Sequence, residues 1–247
     1  MKRLTVLAAA LVLSACGGGG GDGATTPVAA SSAEGFWNGT TPTGTQVSLA
    51  ILENGETWGL YASSGSVVGA LYGNTTTSGT ALSGSGTGFN FLTRTSSSGT
   101  YSGNVTTKEA ITVNVSDGTK FSGTYDTSYD QAASLATLAG TYTGWGVTGA
   151  TAAQAATVVV DVNGNISSSF VSGSLTCTTS GTATPRASGK NIFNLQLTFT
   201  GNYCALDNGT VVNGVATYDN VNRQIIAMGL NSAKSDGLIY VGTRALD

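Results

Sequence analysis

The residues that could do chemistry in this 247-residue chain are few, and their types exclude much. There is no histidine. Serine triads, cysteine–histidine pairs and most zinc sites use imidazole, so all of these are excluded in their usual forms. Glu53 and Glu56 flank Asn54-Gly55 and could be imagined as the acid pair of a glycosidase. Such a pair needs a cleft and two differently tuned carboxyls. Two glutamates at a hairpin tip read instead as a solvated turn. Asp161-Val162-Asn163-Gly164-Asn165 places oxygen ligands at alternate positions, as a calcium loop begins. It lacks the glycine at the sixth position and the glutamate at the twelfth, so it reads as a turn and no metal is expected. Among the aromatics, Trp37 is expected to plug a core. Trp58 and Trp145 are the candidates for ligand or partner contact, with Trp145 expected to be exposed, facing away from Tyr142. No cofactor is expected.

The start of the chain says where these residues work. Lys2 and Arg3 precede an apolar run, Leu4 to Leu13, that is too short to cross a bilayer. A positive start, a short apolar core and small residues before a cut describe a secretory signal. The ending Leu13-Ser14-Ala15-Cys16 resembles the lipobox of bacterial lipoproteins. That resemblance implies cleavage before Cys16, its acylation, and a stable anchor of several chains. Gly17 after the cysteine, by similarity to the enteric sorting rule, implies the outer membrane. Residues 17–32 are Gly, Ala, Thr and Ser with one proline and one aspartate, the composition of a flexible tether. With Cys16 committed to lipid and the compartment oxidising, Cys177 and Cys204 are expected to form a disulfide. It would close a loop of about 28 residues, worth about 3–4 kcal/mol on the chain-entropy model, and join two neighbouring strand ends.

Charge is sparse at 9%, and removing Lys2 and Arg3 takes the net formal charge from −3, by two positive charges, to −5. No basic patch is visible, so a nucleic-acid partner is not expected.

The elements that must position the candidates are strands. Val47, Leu49 and Ile51 alternate with Gln46, Ser48 and Ala50, the period of a half-buried strand. Asn54-Gly55 then reads as a two-residue hairpin turn. Further strands are expected near 67–73, 88–94, 101–106, 111–115 and 121–125. Ala132, Ala133, Leu135, Ala136 and Leu138 are helix formers and mark a boundary. The opening then recurs: Gly35-Phe36-Trp37-Asn38-Gly39 and Gly140-Thr141-Tyr142-Thr143-Gly144, an offset of 105 residues. A repeat at that spacing is a duplicated domain. In the second half, Phe193, Leu195, Leu197 and Phe199 alternate with polar residues, and strands are expected near 211–218, 224–230 and 238–243. Asn208-Gly209, Asn213-Gly214 and Asp236-Gly237 punctuate them.

About eight strands in each half must hide their edges, and closure into a barrel does so. The expected fold is therefore all-β: two tandem antiparallel eight-stranded barrels or sandwiches after a lipidated tether. The expected divisions are a signal peptide (1–15), anchor and linker (16–33), first barrel (34–126), linker (127–137) and second barrel (138–247). The halves are expected to fold separately. A lipobox, a glycine-rich tether and paired small barrels resemble surface lipoproteins of Gram-negative bacteria, and the second half is similar to calycin-like periplasmic lipoprotein barrels. The resemblance implies a non-enzymatic protein on the outer membrane, facing the periplasm or the surface. Its lipid at Cys16 would be the membrane attachment and a protein or small ligand its partner. The alternative is an inhibitor of a periplasmic or host hydrolase.

Overall fold

The computed structural model describes residues 32–245. The signal peptide, Cys16 and all but the end of the tether lie outside the described residues. Within them are two closed antiparallel barrels of eight strands each, every strand paired with its neighbours in sequence. The first comprises β1 (Gly35–Thr40), β2 (Gln46–Ile51), β3 (Glu56–Ser63), β4 (Ser66–Ser78), β5 (Ala81–Asn90), β6 (Thr95–Thr106), β7 (Ala110–Val115) and β8 (Lys120–Asp126). The second comprises β9 (Gly140–Thr148), β10 (Gln154–Val160), β11 (Asn165–Ser172), β12 (Leu175–Pro185), β13 (Phe193–Thr200), β14 (Val211–Asp219), β15 (Gln224–Asn231) and β16 (Gly237–Arg244). The expected fold class is the observed one.

A 3-10 turn (Thr127–Asp130) and one helical turn, α1 (Leu135–Leu138), join the barrels where the alanine-rich stretch was expected to mark a boundary. Asp126 caps the first by accepting from the Ser128 N–H, and Ser134 caps the second by accepting from that of Thr137.

The duplicated motif closes each barrel. Trp37 and Tyr142 are fully buried in their respective bores. The Trp37 indole donates to the Ala33 carbonyl at 2.8 Å, and the Tyr142 hydroxyl to the Leu138 carbonyl at 2.5 Å, the same step back along the chain. The motif's last glycine lies at the closing seam, where Gly39 pairs with Gly123 and Gly144 with Gly242. A Cβ on Gly39 would fall 1.9 Å from the Ser122 carbonyl oxygen, and one on Gly144 2.0 Å from that of Val241. Only glycine lets first and last strands come this close.

The Asn-Gly turns are not the two-residue type expected. At Asn54-Gly55 only Gly55 has positive φ, and its N–H donates to the Leu52 carbonyl at 2.9 Å, making a longer loop. The Gly55 carbonyl then accepts from the Thr75 N–H of β4 at 2.7 Å. Gly164 repeats this, donating to Asp161 at 3.0 Å and accepting from Ala183 at 2.8 Å. Three-residue turns ending in a left-handed glycine also match strand twist. Asn213-Gly214 is no turn at all but lies inside β14, and the strand expected near 88–94 straddles the turn between β5 and β6.

The interiors differ. In the first barrel Trp37, Ile51, Val105, Ile111 and Phe121 pack together, and a hydroxyl chain continues the filling: Thr57 to Thr75 at 2.7 Å and Thr75 to Tyr101 at 2.8 Å. The second barrel is filled mainly by apolar side chains, Phe170, Phe193, Phe199, Tyr142, Tyr218 and Tyr240 among them, with a buried hydroxyl pair, Ser168 to Thr179 at 2.6 Å. The Cys177–Cys204 disulfide is formed, with a Cα–Cα distance of 4.8 Å. It does not join two strand ends. Cys177 points inward from β12, whereas Cys204 sits in the 201–210 loop, so the bond draws that loop over the bore and buries Leu206.

A third apolar cluster lies between the barrels. Trp58, Leu60 and Ala70 from the first pack with Val147, Val215, Met228 and Ile239 from the second. No strand is shared, but the outer faces are. Trp145 is half-buried here rather than exposed, so the surface it was expected to offer a partner is covered by the first barrel.

Candidate functional site

The closing of one barrel against the other leaves a cleft of about 410 Å³ beside the apolar contact, outside both bores. Such a volume lies within the range of small-molecule sites, about 300–1,000 Å³. From the first barrel come Glu56 and Trp58 of β3 and Tyr72 of β4; from the second come Arg186, Asn194, Asn213 and the 230–234 segment with Lys234. A deeper apolar gap of about 30 Å³, against Trp58, Met228 and Ile239, is part of the interface packing.

Strand geometry explains the lining. On β14, Val215 faces the first barrel, and Asn213, two residues earlier on the same face, lies just beyond the contact. On β13, Asn194 pairs with Val215, so it borders the same edge. Trp58 is only 4% exposed and forms a wall rather than an open platform. Its indole N–H donates to Glu56 Oε1 at 3.0 Å, and Tyr72 meets its ring edge-on at 4.7 Å.

The charges are arranged unevenly. Arg186 Nε donates to Glu53 Oε1 and Oε2 at 2.8 and 3.1 Å, its Nη1 donates to Asn194 Oδ1 at 2.8 Å, and its Nη2 lies 3.7 Å from Glu56 Oε2. Glu53 and Glu56 are thus not a solvated tip; they clamp a guanidinium of the other barrel, whose side chain is 14% exposed. An arginine–carboxylate pair this sheltered, with the Nε–H shared between both oxygens, fixes geometry across the junction. Lys234 Nζ donates to the Tyr72 hydroxyl at 2.8 Å and lies 4.6 Å over its ring. Its contacts there are with a neutral ring and hydroxyl. Asn213 Oδ1 accepts from Gln196 at 3.0 Å, and Asn231 is held by Ser235, whose N–H donates to Oδ1 at 3.0 Å.

Of the expected site residues, Trp58 therefore lines the cleft as a buried support, Trp145 belongs to the interface, and Cys177 and Cys204 brace the second barrel. The Asp161 carboxylate accepts from the Asn163 and Asn165 N–H groups at 2.8 and 2.9 Å and from Asn165 Nδ2 at 2.7 Å. These bonds, the Asn165 side chain's first, hold the Asp161 carboxyl below its usual range, and they organise a turn. Tyr72, Arg186, Asn194, Asn213 and Lys234 were not singled out from the sequence. Comparison with family models, curated proteins and solved structures gave no match to this chain.

Proposed function

We propose that this chain is a non-enzymatic, lipid-anchored binding protein of the bacterial outer membrane, with the inter-barrel cleft as its ligand site. The observation that carries the reading is the cleft itself. It is pocket-sized, half-sheltered and walled by hydrogen-bonding side chains held in place by their neighbours. Both carboxylates near it serve one guanidinium, so neither stands apart as an acid or base. The Leu13–Cys16 motif supports the anchor, at Cys16, on the membrane side.

The anchor is tested by Cys16→Ala, expected to release the protein from outer-membrane fractions after a high-salt wash. The site is tested by screening small molecules from an envelope extract against the full chain. A ligand that raises the melting temperature of the native chain but not of Asn213→Ala supports the reading.

One observation favours the inhibitor alternative. Leu92, at the tip of the turn between β5 and β6, is 75% exposed, the kind of anchor a hydrolase cleft could accept. Inhibition of an envelope hydrolase that is lost in Leu92→Asp and indifferent to Asn213→Ala would replace the first reading with that one.

A further inference from the structure

We infer that the cleft takes a short saccharide carrying an acidic substituent; this rests on the reading of the cleft as the ligand site and names what fills it. Three kinds of lining group lead there. First, the accessible polar groups are carboxamides and a hydroxyl: Asn194, Asn213, Asn231 and Ser232. Such groups suit the hydroxyls of a sugar, which both donate and accept. Asn194 and Asn213 have their oxygens committed to Arg186 and Gln196, so their orientation is set and the amide N–H₂ groups are the ones offered.

Second, the lining disfavours other small-ligand classes. Trp58 is buried, and Lys234 lies over the Tyr72 ring, so no broad aromatic face is open for a flat base to stack on. A strand of peptide would need an unpaired sheet edge. Here β13, β14 and β15 are each paired on both sides.

Third, the charge is complementary to an anion at one place. Arg186 is matched by Glu53 and Glu56, whereas Lys234 meets Tyr72 through its ring and hydroxyl. A carboxylate or sulfate on the sugar would add a charge-assisted hydrogen bond at Lys234.

The test uses the full chain, solubilised in a detergent without a sugar headgroup. Uronic-acid disaccharides and trisaccharides, sulfated disaccharides and neutral disaccharides are titrated by calorimetry against the native protein, Asn213→Ala, Lys234→Ala and Lys234→Arg. Asn213 and Lys234 are exposed, so their melting temperatures should match the native one. The expected result is binding of acidic sugars, weakened at least tenfold in Asn213→Ala and Lys234→Ala and largely kept in Lys234→Arg. Neutral sugars binding as tightly as acidic ones would overturn the inference and leave the cleft as a site. So would no sugar binding while another extract molecule binds in an Asn213-dependent way. Sugar binding indifferent to all three substitutions would overturn both the inference and the reading beneath it.

Discussion

The two barrels run the same circuit with different means. Both carry the ring-to-carbonyl bond at the start, the glycine pair at the seam and the left-handed glycine whose carbonyl reaches the fourth strand. Their fillings are unlike. The second barrel is packed with aromatic and aliphatic side chains and braced by a disulfide. The first relies on a smaller apolar set and a line of three hydroxyls, where the second has the pair Ser168–Thr179. Backbone constraints are thus what the repeat preserves: close approach, turn geometry and closure. Interior chemistry is free to vary as long as the bore is filled. The first barrel also packs outward, since Trp58, Leu60 and Ala70 belong to the apolar cluster it shares with the second.

The largest expected effect concerns what the barrels share. Gly39→Ala and Gly144→Ala each put a methyl into a backbone carbonyl, and each should cost about 3 kcal/mol or more by chemical denaturation. If the first barrel is the weaker, Gly39→Ala should leave no folded first barrel, while Gly144→Ala lowers the second's midpoint without abolishing it. Equal outcomes would erase the distinction.

Reducing the Cys177–Cys204 bond should come next. It spans 27 residues of sequence, and its loss should cost the second barrel about 2–4 kcal/mol. Because Cys204 holds a loop rather than a strand, hydrogen exchange should rise first in 201–210. Exchange rising uniformly through β12 and β13 would mean the bond braces strands instead.

A smaller effect sharpens how the barrels are joined. Asp130 accepts from Lys190 at 2.7 Å and from Lys108 at 2.9 Å, one from each barrel. These bonds, that of Lys190 foremost, lower its carboxyl to about 2. A depressed folded value means the contribution is present above the ordinary carboxylate range, near 4, and is lost as pH falls toward 2. Exposure to solvent keeps it modest. Asp130→Asn should flatten the loss of melting temperature between about pH 4 and 2 and change little at pH 7. An unchanged acid limb would remove Asp130 from the joint.

The smallest concerns the second barrel's filling. The Tyr240 hydroxyl is buried with no protein partner, and burial pushes its ionisation up. Tyr240→Phe should be neutral or stabilise by up to about 1 kcal/mol, because it removes an unpaired polar group. A clear loss on thermal denaturation would show that the hydroxyl is paired after all.

Much of the frame was legible in the sequence because closure demands particular residues at particular places. The recurring glycine–aromatic–glycine motif and the alternation at Val47–Ile51 and Phe193–Phe199 placed strands correctly. β5, β11 and much of β12 were not legible, since Ser, Thr and Gly give little contrast between inner and outer faces. Asn-Gly fits two turn geometries, and only the hydrogen bonds of Gly55 and Gly164 decide between them. The cleft was hidden for another reason. Its residues come from both barrels and meet only because outer faces pack. One signal was present: in Ile225-Ile226-Ala227-Met228, both alternating sets are apolar, the mark of a strand buried on both faces.

The central claim is that the first barrel stands because the second covers it, and that the cleft exists only in the joined pair. Expressing residues 32–131 and 132–247 separately tests this most directly. By circular dichroism and amide exchange, the second fragment should form a cooperative β fold that melts in one transition, and the first should not. Mixing the two should restore β structure in the first. Two fragments that each fold and melt cooperatively alone, with no change on mixing, would contradict the claim.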